Sequence, residues 1–159
     1  QNQRQGFFEG QGMGTTLVGC RIDAHSRSLM LFHVGDSRCY RLRQGQLEQL
    51  TEDHSAYRQW LESDQSETAP SRNVLWQTLG TQATIDPDIQ MIELEEGDRF
   101  LLCSDGLSTM VDTATLIEVL ANCRQDNLER SVQRLIDSAN EAGGQDNITA
   151  VIICDRHHS

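Results

Sequence analysis

Three aspartates lie within two residues of an apolar segment that is predicted to form a strand: Asp36, Asp105 and Asp146. Asp36 and Asp105 follow their segments, whereas Asp146 precedes the last one. If the strands next to Asp105 and Asp146 are antiparallel neighbours, both carboxylates emerge at the same edge of a sheet. Glycines at positions 35, 106 and 144 permit tight turns nearby. The spacing therefore predicts a cluster of carboxylates.

Carboxylates that are held close together repel one another unless a cation lies between them. A hard divalent ion such as Mg²⁺ or Mn²⁺, bound through carboxylate and water oxygens, suits this set of donors. The absence of histidine and cysteine at metal-binding spacing argues against zinc. A second interpretation stays open, because Asp-Gly, Gly-Asp and Asp-Asn are ordinary turn sequences. Any one of the three aspartates alone is more often a turn former than a ligand.

The hydrophobic pattern predicts the strands that position these aspartates: Thr15–Asp23, Ser28–Val34, Arg38–Arg43, Leu47–Leu50, Ile89–Leu94, Phe100–Cys103 and Asn147–Cys154. The second of these strands is apolar on both faces, which indicates burial within a sheet or between layers. Turn sequences separate the first four segments, so we expect a meander of consecutive antiparallel strands.

Most helical signals come late in the chain. A capping box at Thr115–Glu118 starts one predicted helix, and an amphipathic helix begins near Leu128. Shorter helices are predicted at Tyr57–Leu61 and Arg72–Leu79, and the polar segment Glu62–Ser71 between them is expected to be a mobile surface flap. Strands followed by grouped helices predict an α+β fold.

The composition excludes several classes of protein. The chain has 159 residues, the length of one domain. A net charge of −11, from 24 acids and 13 bases that are all arginine, argues against binding to the phosphate backbone of nucleic acid. The apolar runs are too short to span a bilayer. The five cysteines lie far apart without zinc or redox-pair spacing, so we expect a reducing, cytoplasmic compartment.

Five short motifs then occur in order over nearly the whole chain: Gly12–Thr16, His33–Arg38, Leu50–Ser55, Leu102–Leu107 and Gly143–Thr149. Each motif is weak by itself, but their order and intervals are specific. Together they resemble the later motifs of the type 2C (PPM) family of metal-dependent protein serine/threonine phosphatases, in particular its compact bacterial members. The resemblance implies a β-sandwich of two antiparallel sheets flanked by helices, with a binuclear Mn²⁺ or Mg²⁺ centre at one end.

The resemblance also implies roles for individual residues. Asp105 and Asp146 match ligands of the first catalytic metal, and Asp36 together with Asp105 matches a weaker third metal site. Ser104 and Asn147 are expected to orient the neighbouring aspartates through hydrogen bonds. In such enzymes a metal-bound water attacks phosphorus directly, without a phosphoenzyme. The segment 54–72 matches the flap that borders the substrate cleft.

Two departures from the family pattern limit these assignments. The opening motifs of the family, an early acid and arginine followed by Asp-Gly-x-Gly-Gly, do not occur in this sequence. The resemblance therefore implies that residues 1–159 are the C-terminal two-thirds of a single type 2C phosphatase-like domain. The residues that bridge the metals and bind the phosphate are expected in a preceding segment, so no catalytic residue is assigned. Thr109 stands where many members carry a further acid for the third metal.

The sequence thus predicts metal-dependent hydrolysis of phosphoserine and phosphothreonine in proteins, by a cytoplasmic enzyme with a phosphorylated protein as its partner and without nucleic acid or membrane. The alternative is a non-catalytic domain of the same fold that binds or senses a partner. An acid-bearing Asp-Gly-x-Gly-Gly in a preceding segment would separate the two.

Overall fold

The computed structural model of the protein describes residues 13–65, 68–71 and 74–154. Within these ranges the elements follow in chain order: β1 (Leu17–Asp23), β2 (Ser28–Val34), β3 (Arg38–Arg43), β4 (Gln46–Gln49), α1 (Ala56–Glu62), β5 (Asp88–Glu93), β6 (Arg99–Cys103), α2 (Asp105–Ser108), α3 (Thr113–Asn122), α4 (Leu128–Glu141) and β7 (Ala150–Cys154). None of the helices in these ranges is both long enough and apolar enough to cross a membrane.

The strands form two antiparallel sheets. One has the order β1-β2-β5 and the other the order β4-β3-β6-β7. Leu29 and Leu31 of β2 pack against Phe100 and Leu102 of β6, and these buried side chains form the core between the sheets. On its other face the larger sheet packs against α3 and α4 through a second core that includes Leu101. The predicted sandwich of two antiparallel sheets flanked by helices is confirmed.

The predicted meander is wrong at one connection, because β2 and β3 do not pair. The chain crosses from one sheet to the other between them, and β2 pairs with β5 instead. The buried face of β2 packs against Cys39 of β3, so the two strands lie in different layers. Gly35 makes this crossing with φ +101°, and a Cβ there would lie 2.4 Å from the Thr16 side chain. Glycine satisfies both constraints.

Two helix predictions are corrected. The N-cap of helix α3 is Asp112, three residues before the predicted N-cap Thr115, and the Asp112 carboxylate accepts the Thr115 N–H. The chain from Val74 to Leu79 is not helical, and residues 72–73 of that prediction lie outside the described residues. Leu79 forms an isolated antiparallel bridge with Thr15. The backbone N–H and C=O groups of Leu79 therefore bond to Thr15, so they are not available for the hydrogen bonds of a helix.

A buried ion pair fixes the turn between β5 and β6. The Asp98 carboxylate accepts two hydrogen bonds of 2.7 Å from the Arg43 guanidinium and one of 3.0 Å from the Glu95 N–H. Burial raises the pKa of Asp98, but these hydrogen bonds and the Arg43 charge outweigh burial, so the pKa lies below its usual value. The charged form is thus the one that stabilises the fold.

We expect Asp98→Ala to lower the free energy of unfolding by about 2–3 kcal/mol, because the half-buried Arg43 loses its buried partner and keeps the exposed Glu95 carboxylate. The matched control is Glu48→Ala, which removes the exposed partner of Arg41 and should cost less than about 1 kcal/mol. Urea unfolding measures both changes. Because the folded pKa of Asp98 is depressed, its contribution is present above about pH 4 and is lost as the pH falls through the folded value. Equal costs for the two variants would contradict the assignment.

Candidate functional site

A cleft of about 530 Å³ opens at one end of the sandwich. It lies where the β2–β3 crossing, the segment before α1 and the start of α2 meet. The side chains that line it include Asp36, Arg38, Asp53, Arg58, Asp105 and Thr109. The structure thus places two of the three predicted metal ligands, Asp36 and Asp105, in one cleft.

Asp105 is the first residue of α2, directly after the buried strand β6. Its Oδ1 accepts the Gly106 N–H at 2.8 Å. The Thr109 hydroxyl donates to the Asp105 carbonyl oxygen at 2.6 Å. Thr109 therefore lines the cleft at the position where many family members carry a further acid, and it supplies no carboxylate there. Its hydroxyl proton is engaged in the hydrogen bond to the helix backbone.

Asp146 lies on the loop before β7, and this loop packs against the start of α2. The strands β6 and β7 are antiparallel neighbours, which is the arrangement on which the predicted proximity of Asp105 and Asp146 depends. A Cβ on Gly106 would lie 2.5 Å from the Asn147 carbonyl oxygen and 3.2 Å from the Asp146 carbonyl carbon. Asp146 is therefore brought next to the Asp105 segment, although it is not part of the cleft lining.

Ser104 and Asn147 connect these two segments. The Ser104 hydroxyl donates to the Asn147 carbonyl oxygen at 2.9 Å and accepts the Thr149 N–H at 3.0 Å. The Asn147 N–H donates to Asp146 Oδ1 at 2.6 Å. Asn147 thus contacts its neighbouring aspartate through the backbone. The hydroxyl of Ser104 holds the two loops together and makes these hydrogen bonds with backbone atoms.

The electrostatics of the cleft suit a cation. Burial raises the pKa of the Asp36 carboxyl, and the nearby charge of Asp105 raises it further. Arg38 does not relieve this repulsion fully, because its guanidinium binds Asp53 in two hydrogen bonds of 2.9 and 2.6 Å. Arg58 pairs with Glu52 and Glu62. A hard cation beside Asp36 and Asp105 would offset the repulsion, and the carboxylate oxygens fit Mn²⁺ or Mg²⁺.

A second group of side chains lies behind the cleft. Across residues 13–65, 68–71 and 74–154, one set of three His, Cys, Asp or Glu side chains has its potential ligand atoms within 4.8 Å of one another: His33, His54 and Asp88. Asp88 belongs to no motif in the sequence, and its spacing from His33 and His54 gives no sign of this contact. It joins the histidines because β5 pairs with β2, which sets His33 opposite Asp88.

The hydrogen bonds of these histidines argue against a metal between them. His33 Nε2 lies 2.8 Å from the Glu52 carbonyl oxygen, a distance that requires a proton on this nitrogen. His54 Nδ1 lies 3.2 Å from the Gly35 nitrogen and 3.2 Å from Gln77 Nε2, two N–H donors that need its lone pair. The proton of neutral His54 is therefore on Nε2, 3.3 Å from the Asp88 carboxylate. A metal-binding histidine turns a lone pair toward the ion and donates with its second nitrogen, whereas the nitrogens of His33 and His54 that lie nearest Asp88 are the protonated Nε2 atoms.

Comparisons with known proteins agree with this architecture. The sequence matches the Stage II sporulation protein E (SpoIIE) family over residues 2–156. It is 37% identical over 147 residues to the serine/threonine phosphatase stp of Listeria innocua, which covers 89% of this chain and 57% of the relative. The chain thus spans a little more than half the length of that relative.

Solved structures give the same result. The serine/threonine phosphatase Stp1 from Staphylococcus aureus is 30% identical and superposes with a TM-score of 0.82, over 98% of this chain and 61% of Stp1. The catalytic domain of the serine/threonine protein phosphatase PstP, solved in complex with two manganese ions, is 35% identical. It superposes with a TM-score of 0.79 over 97% of this chain and 63% of that domain.

Proposed function

Because the chain belongs to the type 2C (PPM) phosphatase family, which includes the SpoIIE domain that it matches, we propose that the protein hydrolyses phosphoserine and phosphothreonine in proteins. The observation that carries this proposal is the placement of the aspartates. Asp36 and Asp105 share one cleft, and Asp146 lies on the loop that packs against the Asp105 segment. No observation favours a non-catalytic role.

The proposed cofactor is a pair of Mn²⁺ or Mg²⁺ ions, with a third ion possible. Asp105 and Asp146 would hold one ion, and Asp36 with Asp105 would hold a weaker outer ion. When bound, such ions polarise the phosphoryl oxygens and supply a nucleophile from water at neutral pH. The protein contributes charged carboxylates on loops that Ser104 and Asn147 hold in place. The manganese ions of the PstP catalytic domain support this choice of metal.

Several further properties belong to the same proposal. Residues 1–159 would form the C-terminal two-thirds of a single domain, in line with the 57% of stp that the chain spans. The substrate would be a phosphorylated protein and not a nucleic acid or a membrane, which fits 24 acids against 13 bases. All five cysteines are free thiols, which supports a cytoplasmic location.

The test is phosphate release by the full-length protein from three peptides of one sequence that carry phosphoserine, phosphothreonine or phosphotyrosine. We expect release from the first two when Mn²⁺ or Mg²⁺ is added, and none after chelation with EDTA, because the charge of the transferring phosphoryl group then lacks its electrostatic partner. Equal release with and without EDTA would exclude the proposed mechanism. Preference for the phosphotyrosine peptide would exclude the proposed substrate class.

A further inference from the structure

We propose that His54 is a positioning residue for Asp36, in which the Nδ1 lone pair holds the Gly35 N–H and so sets the turn that carries the Asp36 carboxylate. The inference rests on the proposed function, because it concerns the outer metal ligand. His54 itself does not line the cleft, whereas Asp53 and Ser55 on either side of it do. Its effect must therefore pass through the residues that it contacts.

The contact between His54 and Gly35 has two hydrogen bonds. The Gly35 N–H donates to His54 Nδ1 at 3.2 Å, and the His54 N–H donates to the Gly35 carbonyl oxygen at 2.9 Å. Gly35 has no side chain that could pack, and its φ of +101° is one that other residues rarely adopt. The backbone hydrogen bonds with His54 are therefore the direct restraint on the residue before Asp36.

The surroundings of His54 fix its ring and its tautomer. The residue is 3% exposed and its ring lies between the rings of His33 and Trp76, whose centroids are 4.6 and 4.7 Å away. The amide of Gln77 donates to the same Nδ1, and its orientation is set because it binds both the carbonyl oxygen and the N–H of Asp86. Two donors on one nitrogen leave Nδ1 as an acceptor and Nε2 as the donor.

The neighbouring residues strengthen the same connection. His33 Nε2 donates to the Glu52 carbonyl oxygen, and the Arg38 guanidinium binds the Asp53 carboxylate. The segment that ends in His54 is thereby attached on both sides of Asp36, to β2 before it and to β3 after it. Among these side-chain contacts, the one through His54 Nδ1 reaches the residue directly before Asp36.

Two substitutions of His54 distinguish the role of Nδ1 from the role of Nε2. An asparagine places its Oδ1 near the position of Nδ1, so His54→Asn keeps an acceptor for Gly35. A glutamine reaches the position of Nε2 instead, so His54→Gln keeps the donor to Asp88 and loses the acceptor. In the full-length protein we expect His54→Gln to raise the Mn²⁺ concentration for half-maximal activity by about 10-fold or more, the scale of outer-shell substitutions at metal sites. His54→Asn should stay close to the wild type.

Three readouts other than activity test the positioning role. The ¹⁵N resonances of His54 should show an unprotonated Nδ1 and a protonated Nε2 in the metal-free protein. Hydrogen exchange of the Gly35 amide should be faster in His54→Gln than in His54→Asn. The Mn²⁺ affinity measured by calorimetry should be no lower in Asp36→Ala/His54→Gln than in Asp36→Ala alone, because both changes remove the same ligand.

The proposal is overturned if His54→Asn loses Mn²⁺ affinity as fully as His54→Gln, or if the effects of Asp36→Ala and His54→Gln are additive. It is also overturned if Nδ1 carries the proton in the wild type, a result that needs no variant to fold. Absence of Mn²⁺-dependent hydrolysis by the wild type would instead contradict the proposed function, while exchange at Gly35 would still decide whether His54 holds the turn.

Discussion

Replacing Asp105 or Asp146 with alanine is expected to lower Mn²⁺-dependent hydrolysis by the full-length protein about 100-fold or more, the loss typical when one electrostatic group is removed from the site of charge transfer. Each change removes an anionic ligand from a site for a hard cation. The fold should survive, because Asp105 and Asp146 make their side-chain hydrogen bonds with the backbone of the next residue. Circular dichroism of each variant checks the fold.

Asp36→Ala should behave differently and mainly raise the Mn²⁺ concentration that activity requires, because Asp36 is assigned to the weaker outer ion. Its removal also relieves the repulsion from Asp105, which adds to burial in raising the pKa of Asp36. A Mn²⁺ titration of activity separates the two classes of variant. Asp137→Ala, an exposed aspartate on α4, is the matched control and should leave the titration unchanged. Folded Asp105→Ala and Asp146→Ala variants with near-normal activity would show that these residues are turn formers.

The strands were predictable because each carries its own local signal. Ser28–Val34 and Arg38–Arg43 are found at the predicted boundaries, and the other strands differ by a few residues at their ends. In Arg38–Arg43, Tyr40 and Leu42 are buried on one face while Arg41 and Arg43 lie on the other, as alternation predicts. Patterns with a period of two depend on neighbouring residues alone, so a single sequence reveals them.

The pairing of strands was less predictable, because it depends on segments far away in the sequence. A hairpin between β2 and β3 fits the turn sequence at Gly35–Ser37 as well as a crossing between sheets does. The crossing is favoured because β5 pairs with β2 and β6 pairs with β3, along the strand edges that a hairpin between β2 and β3 would have joined. The same reason explains Val74–Leu79, where partners at Thr15 and Ser55 replace a helix.

The candidate site also combines a feature that could be predicted from the sequence with one that could not. The proximity of Asp105 and Asp146 follows from one antiparallel pair, β6 and β7, and could be predicted from the sequence. The contact of His54 Nδ1 with Gly35 could not, because it requires the crossing turn and the segment before α1 to meet in space. The histidine is visible in the motif Leu50–Ser55, but its tautomer and its target are properties of the tertiary structure.

The junction between the loops of Asp105 and Asp146 leads to the second large expected effect, for Gly106→Ala. The backbone of Gly106 does not adopt a positive φ, so alanine is compatible with its conformation and the effect is steric. The new Cβ would lie 2.5 Å from the Asn147 carbonyl oxygen and 3.0 Å from its carbonyl carbon, distances at which the backbone must move. The neighbouring atoms belong to the main chain, so no side-chain rotation can relieve the contact.

We expect Gly106→Ala to lower the free energy of unfolding by about 3 kcal/mol, at the upper end of the cost of overpacking. The same displacement should push the Asp146 loop away from Asp105 and weaken Mn²⁺ binding, because the carboxylates then no longer converge. Urea unfolding of the metal-free protein and calorimetric titration with Mn²⁺ measure the two effects separately.

The control is Gly97→Ala, in the turn between β5 and β6. A Cβ there meets nothing within 4 Å, but the φ of +84° is strained for alanine and should cost about 1–2 kcal/mol. This variant loses stability far from the aspartates, so its Mn²⁺ affinity should stay at the wild-type level. If Gly106→Ala and Gly97→Ala lose stability while both keep Mn²⁺ affinity, close contact at Gly106 is not what brings Asp105 and Asp146 together. Loss of affinity confined to Gly106→Ala would show that the metal site depends on this backbone contact and not on stability in general.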